Sequence, residues 1–385
     1  MRVLILGGDG YLGWPTAMRL AMQGDTVMVA DSYLHRSLAA EVGSRPLSPV
    51  PMLPERAAVF SAATGKTICV STGDCAQQAY LDHTVREFQP DAIVHYAEQP
   101  SAPYSMRGHD EARRTLENNL GTTFTLIWSV LRHAPACHIV KLGTMGEYGT
   151  PNIDIEEGWL DITHKGRSDR FLYPRQGASL YHTTKILDTD LLWFYVRSHG
   201  LRVTDLMQGP VYGTTTAECA ADRSLAPRFS YDDIFGTVLN RFLVQAVARI
   251  PLTVYGEGGQ TRGFLNIEDT LQCVELALRQ PAASGELRVF NQFTECFSVQ
   301  ELADRVRAVG NSLGLDVTVE SLTNPRIEEE RHYYNPRHRG LKELGLVPHL
   351  LTDDALVQML ECVLPLRGAI DVDSIRPRVR WSRDA

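Results

Sequence analysis

The chain has no excess of positive charge. Its 38 Lys and Arg stand against 46 Asp and Glu, a formal net charge of −8. A protein whose main partner is a polyanion carries the opposite balance, so charge gives a nucleic-acid-binding role no support. There is also no apolar run of about 18 residues, the length a bilayer-crossing helix needs, so no membrane span is expected. Paired cysteines are missing too. The seven, Cys69, Cys75, Cys137, Cys219, Cys273, Cys296 and Cys362, are odd in number, scattered and without a C-x-x-C pair. That excludes a disulfide scaffold and a zinc site, so no metal is expected, and it suits reduced thiols in a cytosol-like compartment. No leader-like segment precedes the strand-like stretch opening at Arg2. The expected location is therefore cytoplasmic, which sequence does not separate from a trimmed organellar form. There is no internal repeat and no low-complexity tract. At 44% apolar and 22% charged residues, the composition is that of an ordinary globular protein.

What is present is alternation. Arg2–Leu6 reads as a buried strand, Tyr11 to Gln23 as an amphipathic helix closed by Gly24, and Thr26–Ala30 as the next strand, a β-α-β unit. Further strands are expected at Asp91–His95 and Cys137–Leu142, with helices near Thr115–Arg132 and Ser179–Ser198. Strand alternating with helix implies an α/β fold, a doubly wound parallel sheet of the Rossmann type. After residue 210 the pattern loosens into loops rich in Gly, Pro, Thr and aromatics, with helices at 299–310 and 354–363. The expected organisation is a dinucleotide-binding domain over 1–210 and a smaller C-terminal substrate-binding lobe over 211–366. Some segments of that lobe should return to the main sheet, and a polar, mobile tail should begin at Arg367.

Three constellations carry chemistry. Gly7, Gly10 and Gly13 form G-x-x-G-x-x-G between a strand and a helix, around Tyr11 and Leu12. Glycines there permit a tight turn and close approach of a pyrophosphate to the free N–H groups of a helix start. Asp31, at the end of the second strand, suits the adenosine ribose hydroxyls and would repel a 2′-phosphate, which favours NAD over NADP. Arg36 nearby is a second candidate for that end, and the one that would suit a phosphate. Next, Tyr181 and Lys185 lie at i and i+4 on one helical face. An ammonium beside the phenol would lower its pKa, so that the phenolate takes a hydroxyl proton. Last, Lys141–Gly149 ends a strand in a glycine-flanked loop that presents the Thr144 hydroxyl, with Met145 and Glu147 beside it. Glu147 is either an acid/base or an ion-paired loop carboxylate; His182 is either an acid/base or a cap on a neighbouring carbonyl.

Together these residues resemble the extended short-chain dehydrogenase/reductase family, whose members act on nucleotide-sugars, and the resemblance runs from Gly7 to about Tyr334. Four strings carry it further: Lys141–Gly158 (KLGTMGEYGTPNIDIEEG), Glu98–Gln99 with Ser101–Met106, Leu252–Gly263 (LTVYGEGGQTRG) and Val289–Thr294 (VFNQFT). They are similar to the branch of the family that adds sulfite to a UDP-sugar. The resemblance implies bound NAD, a UDP-sugar substrate, sulfite as co-substrate, and Thr144, Tyr181 and Lys185 as the catalytic set. Glu147 and His182 are implied as the acid/base pair near carbons 5 and 6, and Met145 as a pocket wall. It further implies Asp74 at the adenine side and Asn119 under the nicotinamide. Gln99, Ser101 and Gln176 are implied for the sugar, Arg107 for sulfite, Arg262 and Arg326 for the diphosphate, and Gln208 and Thr261 as further substrate-binding residues. For Arg107 and Arg326 an ordinary surface ion pair is the competing reading. The apolar residues Leu187, Leu191, Leu192, Trp193, Phe194 and Tyr195 permit the two-helix homodimer interface of the family. Sequence leaves a NAD-dependent UDP-hexose or hexuronate 4-epimerase open as the alternative activity.

Overall fold

The structure is a computed structural model and describes residues 1–324 and 332–376. Seven strands form one parallel sheet: β1 (Arg2–Leu6), β2 (Thr26–Asp31), β3 (Ile68–Thr72), β4 (Ala92–His95), β5 (His138–Thr144), β6 (Arg202–Gln208) and β7 (Glu286–Gln292). Their order is β3-β2-β1-β4-β5-β6-β7. A parallel sheet must be covered on both faces, which is why Val3 to Leu6 are an unbroken apolar run with no exposed surface. The order reverses direction between β1 and β4, and the chain there diverges to either side and leaves a crevice at the carboxyl ends.

Three helices position the site: α1 (Gly13–Met22), α2 (His109–His133) and α3 (Leu180–His199). The helix expected from Tyr11 starts at Gly13, because Gly10 to Leu12 belong to the turn. Ser179 caps α3 by accepting the His182 N–H at 3.2 Å, a device that contributes about 1 kcal/mol. Gly200, at φ 73°, ends it. Helices α2 and α3 pack side by side, with Leu192 buried and Leu116, Phe124, Leu187 and Phe194 exposed. Among the described residues no helix is long and apolar enough to cross a membrane.

The lobe has its own apolar core around Phe242, Leu243, Leu302, Val306, Leu356 and Leu360. β7 and the helix Ile267–Arg279 return from it to the main sheet. The tail expected to be loose from Arg367 is docked as far as the described chain goes. Ile375 is buried in the lobe core, the Asp371 N–H donates to the Tyr231 hydroxyl at 2.9 Å, and the Asp233 N–H donates to the Ser374 carbonyl. Its few apolar residues find a groove that a count of polar residues does not reveal. A second feature absent from the sequence reading is an antiparallel hairpin, Trp159–His164 with Arg167–Leu172. It turns at Lys165 and Gly166, both at positive φ, and Trp159 meets Trp193 of α3 edge to face at 5.0 Å.

Candidate active site

A cavity of about 670 Å³ lies between the carboxyl ends of the sheet and the lobe. That volume is in the range of small-molecule and cofactor sites. Gly7, Asp31, Glu98, Thr144 and Gln208 reach its wall from the ends of five different strands.

One end fits a dinucleotide. Gly7 sits at φ 88°, and a Cβ on Gly13 would collide with the Gly7 carbonyl oxygen. The start of α1 at Leu12 has no side-chain cap, so its N–H groups are left for a ligand. The Tyr11 hydroxyl donates to the Gly213 carbonyl at 2.6 Å, which ties the glycine turn to the lobe. Gly13→Ala is therefore expected to yield protein that has lost most of its nucleotide, measured as nucleotide released on denaturation per mole of chain. Full occupancy would refute the close-approach argument. Asp31 lines the cavity and accepts the N–H groups of Asp9 at 2.8 Å and Tyr33 at 2.6 Å. Burial, only partly offset by those N–H groups, pushes its carboxyl up.

Arg36 is turned toward the loop of Asp9 and toward Val50 and Pro51. It makes a two-point pair with Asp9, both contacts 2.7 Å, and donates to the carbonyls of Val50 and Pro51. Its guanidinium is held on the loop and is not part of the cavity wall. Asp74 also lines the cavity and accepts the Ala76 N–H at 2.9 Å. Asn119 is displaced from its expected role. It is fully buried, accepts the Gln99 N–H at 2.8 Å and donates to Thr184 at 3.0 Å. Asn118 and Thr122 face the cavity instead.

A second stretch of wall forms where β5 meets α3. Thr144 ends β5 and caps the short turn Met145–Glu147, its hydroxyl accepting the Gly146 N–H at 3.2 Å. Thr144, Met145, Tyr181 and His182 all line the cavity. His182 pairs with the Ser179 hydroxyl at 3.1 Å, and its ring lies so close to Gly146 that a Cβ there would meet it. Burial, together with the carboxylates of Glu98 and Glu147, pushes the Tyr181 phenol up. The Lys185 ammonium is neutralised by Glu98 at 2.7 Å and donates to the Leu142 carbonyl at 2.5 Å.

Glu147 is not on the cavity wall. Its side chain has no exposure, accepts the Thr144 N–H at 3.1 Å, and pairs with Lys141 at 3.5 Å and Arg175 at 3.3 Å. The ion-paired reading holds, although the pair is internal and not solvated. Burial pushes its carboxyl up, and Lys141 and Arg175 only partly offset that. Behind it lies a row built by register alone. His95, Lys141 and Asp205 are direct neighbours across β4, β5 and β6, all buried, with Asp188 beside them.

Glu98 is a titratable group to which the local sequence assigns no role. It lines the cavity, its side chain is 3% exposed, and it bridges Lys185 to His95, the latter at 3.2 Å. Burial opposes its charge, but Lys185 and His95 outweigh burial and hold the carboxyl at about 2, below its ordinary 4.5. A depressed folded value adds stability that is complete above about pH 4.5 and is lost as pH falls toward 2. The melting temperature is expected to fall through that window, and to fall less steeply in Glu98→Gln. Parallel curves for the two proteins would remove Glu98 from the acid response.

The substrate candidates divide. Gln99, Ser101, Gln176, Gln208 and Arg262 line the cavity. Gln99 and Ser101 are bound to one another and to Thr115 and Ile234, so they shape the wall more than they offer free donors. Gln208 donates to Gln292 and Thr270. Arg262 contacts His332 at 2.9 Å, and burial lowers its pKa. Arg107 stands outside the wall, paired with Glu111 at 3.5 Å, so the surface reading holds for it. Thr261 is not on the wall either; the strand alternation that aims Arg262 inward turns its neighbour away. Arg326 lies outside the described residues. The lobe supplies two further arginines that sequence reasoning missed. Arg241 stacks over Tyr255 at 5.4 Å. Arg228 donates to His35 at 2.8 Å, and burial and the neighbouring Arg228 and Arg36 charges hold that imidazole down at about 3. The signal available for the internal group was a charged residue inside an apolar strand, as at Lys141 and Asp205. Arg228 and Arg241 carry no comparable local mark.

The family model described as the NAD dependent epimerase/dehydratase family matches residues 3–291. A UDP-sulfoquinovose synthase, chloroplastic, from Spinacia oleracea is 48% identical over 382 residues, 99% of this chain and 79% of the relative. A UDP-sulfoquinovose synthase from Sulfolobus acidocaldarius is 44% identical over 386 residues, 100% of this chain and 98% of the relative. Among solved structures, the UDP-glucuronic acid 4-epimerase from Bacillus cereus in complex with UDP-glucuronic acid and NAD superposes with a TM-score of 0.71 at 18% identity, covering 95% of this chain and 100% of that one. The UDP-glucose 4-epimerase from Bifidobacterium longum in complex with NAD+ and UDP gives 0.69 at 20%, covering 95% and 98%. At such identities the two structures speak for the fold alone.

Proposed function

Because the chain belongs to the NAD dependent epimerase/dehydratase family, we propose that it converts UDP-glucose and sulfite to UDP-sulfoquinovose. The observation that carries this reading is the end-to-end identity of 48% and 44% with two synthases of that name. The cavity is consistent with it. The residues fit NAD: the Gly7–Gly13 cradle and uncapped start of α1 for the pyrophosphate, Asp31 for the ribose, Asp74 at the adenine side.

When bound, the dinucleotide would supply a reversible acceptor for the hydride of the sugar's carbon 4. This chain's residues do the rest. Tyr181 takes the proton of the 4-hydroxyl, and Thr144 holds the same oxygen from the facing loop. The ketone acidifies the hydrogen on carbon 5. That proton leaves, the carbon 6 hydroxyl departs as water, and an alkene conjugated with the ketone remains. The sulfur of sulfite then bonds to carbon 6, and carbon 5 regains a proton. Of the two residues first assigned to this exchange, His182 faces the cavity and Glu147 does not, so His182 carries the proton and Met145 walls the pocket. Arg262 and Arg241 meet the diphosphate, where arginine is favoured.

The reading extends to a homodimer through the exposed apolar residues of α2 and α3, and to residence in a reducing compartment, which its seven unpaired thiols suit. The test is incubation with UDP-glucose with and without sulfite, followed by mass spectrometry. A sulfite-dependent product, heavier by the added sulfite less one water and labelled at carbon 5 in deuterium oxide, is expected. A product of unchanged mass and no carbon 5 label would replace this reading with 4-epimerisation.

A further inference from the structure

Residues 226–237 come from the part of the chain that builds the lobe, yet they are tied to the other half of the molecule. Arg56, a fully buried guanidinium, donates to the Ala226 carbonyl at 2.8 Å. The Leu47 N–H donates to the Phe229 carbonyl at 2.9 Å, the Ser44 hydroxyl to the buried Asp232 carboxylate at 2.6 Å, and the Ser101 hydroxyl to the Ile234 carbonyl. All four donors lie between β2 and α2. The other Asp232 oxygen accepts the N–H groups of Ile234 and Phe235, both at 2.9 Å, so one carboxylate folds the bend and moors it. Phe235 meets His35 edge to face at 4.7 Å and stacks on Tyr104. Arg228, Ser230, Ile234 and Phe235 line the same cavity as the glycine turn, Asp31 and His35. The segment is held a second time by the end of the described chain. The Asp371 N–H donates to the Tyr231 hydroxyl at 2.9 Å, the Asp233 N–H donates to the Ser374 carbonyl at 3.2 Å, and Ile375 is buried in the lobe core.

We infer that residues 226–237 form a strap that keeps the dinucleotide in its site, and that residues 371–375 are the latch of that strap. The glycine turn and Asp31 bind the cofactor; the strap closes the wall beside them. Opening the wall there means breaking the bonds to Arg56, Leu47, Ser44 and Ser101 together. Each is modest by itself, and a segment held by several that break as one unit opens rarely. The latch sets how rarely. Tyr231 and Asp233 belong to the strap, so a terminal segment that lifts off removes two of its hydrogen bonds and the apolar cover of Ile375 at once. Retention matters to a conversion that must give back the hydride it takes, because a chain that lost its dinucleotide midway would leave the ketone unreduced. The inference concerns the cofactor alone and stands whichever sugar is converted.

The test follows the dinucleotide and not turnover. Full-length holoenzyme carrying radiolabelled NAD is chased with excess unlabelled NAD, and the label still bound is counted after rapid desalting. Hydrogen exchange over 226–237 is read by mass spectrometry on the same proteins. Tyr231→Phe keeps the buried ring but removes the acceptor of the Asp371 N–H. It is expected to speed release about fivefold, the effect of one hydrogen bond, with exchange in the strap rising in step. Ser44→Ala acts from the opposite side and leaves a buried carboxylate oxygen without its donor. It is expected to speed release about tenfold or more, and it decides the matter if Tyr231→Phe does not fold. Val306→Ala, in the lobe core but outside these hydrogen bonds, is the control. It is expected to lower the melting temperature and leave release within about twofold of wild type. Unchanged release in either folded strap variant, faster release without faster exchange, or an equal rise in Val306→Ala overturns the inference. A holoenzyme that forms no sulfite adduct would sink the proposed function and leave every one of these rates measurable.

Discussion

Tyr181→Phe is expected to lower the rate of sulfosugar formation by about a thousandfold, within the range for losing a positioned general base, and to leave the melting temperature nearly unchanged. The first half follows from place. Tyr181 shares the cavity wall with Thr144 and His182, where the carbon 4 oxygen must sit for both hydroxyls to reach it. The second half follows from what holds the residue. Its N–H donates to Ser105 at 3.1 Å, its carbonyl accepts from Thr184 at 2.8 Å, and its ring meets His182 at a centroid distance of 5.3 Å. Phenylalanine keeps all three. Turnover within tenfold of wild type would remove Tyr181 from the proton transfer, and a large fall in melting temperature would make its role structural.

Glu147→Gln is the complementary case, a stability defect first. The carboxylate is fully buried between Lys141 and Arg175; when it is neutralised Lys141 keeps Asp205 at 3.3 Å, while Arg175 loses the carboxylate paired with it. Breaking one partner of a buried ion pair costs about 3–5 kcal/mol, a large share of the stability of a typical domain. The amide of glutamine can still accept the Thr144 N–H, so the turn itself survives, and the loss is concentrated in the ion cluster. Chemical denaturation of the two proteins side by side measures it. Because the side chain faces away from the cavity, the fraction of Glu147→Gln that remains folded is expected to reduce its cofactor with UDP-glucose far faster than Tyr181→Phe. A variant of wild-type stability that oxidises the sugar but releases no product would return Glu147 to the acid/base role its place in the loop first suggested.

The difference between these two residues is a difference in what local sequence can encode. Thr144 and Glu147 are three residues apart in one loop and look equally available. The structure closes that loop into a single turn in which Thr144 caps one side and Glu147 reaches back to the same backbone, so the first side chain points out and the second in. Asn118 and Asn119 separate for a related reason. Adjacent residues on a helix point about 100° apart, and α2 presents one to the cavity and the other to the Gln99 loop.

Features that depend on neighbours in the chain were legible before any fold was known. The glycine turn, the β-α-β unit around it, Asp31 at the end of β2 and the i, i+4 spacing of Tyr181 and Lys185 follow from periods and steric limits that hold in any fold. The identities of the cavity strings, compared along their length, carried the rest of the functional reading. Only the tertiary structure decided which polar groups share the cavity and which neutralise one another. Glu98 meets Lys185 across 87 positions of chain, and His95, Lys141 and Asp205 form a row because three distant strands pair in one register. Arg36 is spent on Asp9, and the final described segment is docked against Tyr231. Burial makes these pairings strong, because charges removed from water must find partners, and the partners available are set by strand order and packing, which no local pattern records.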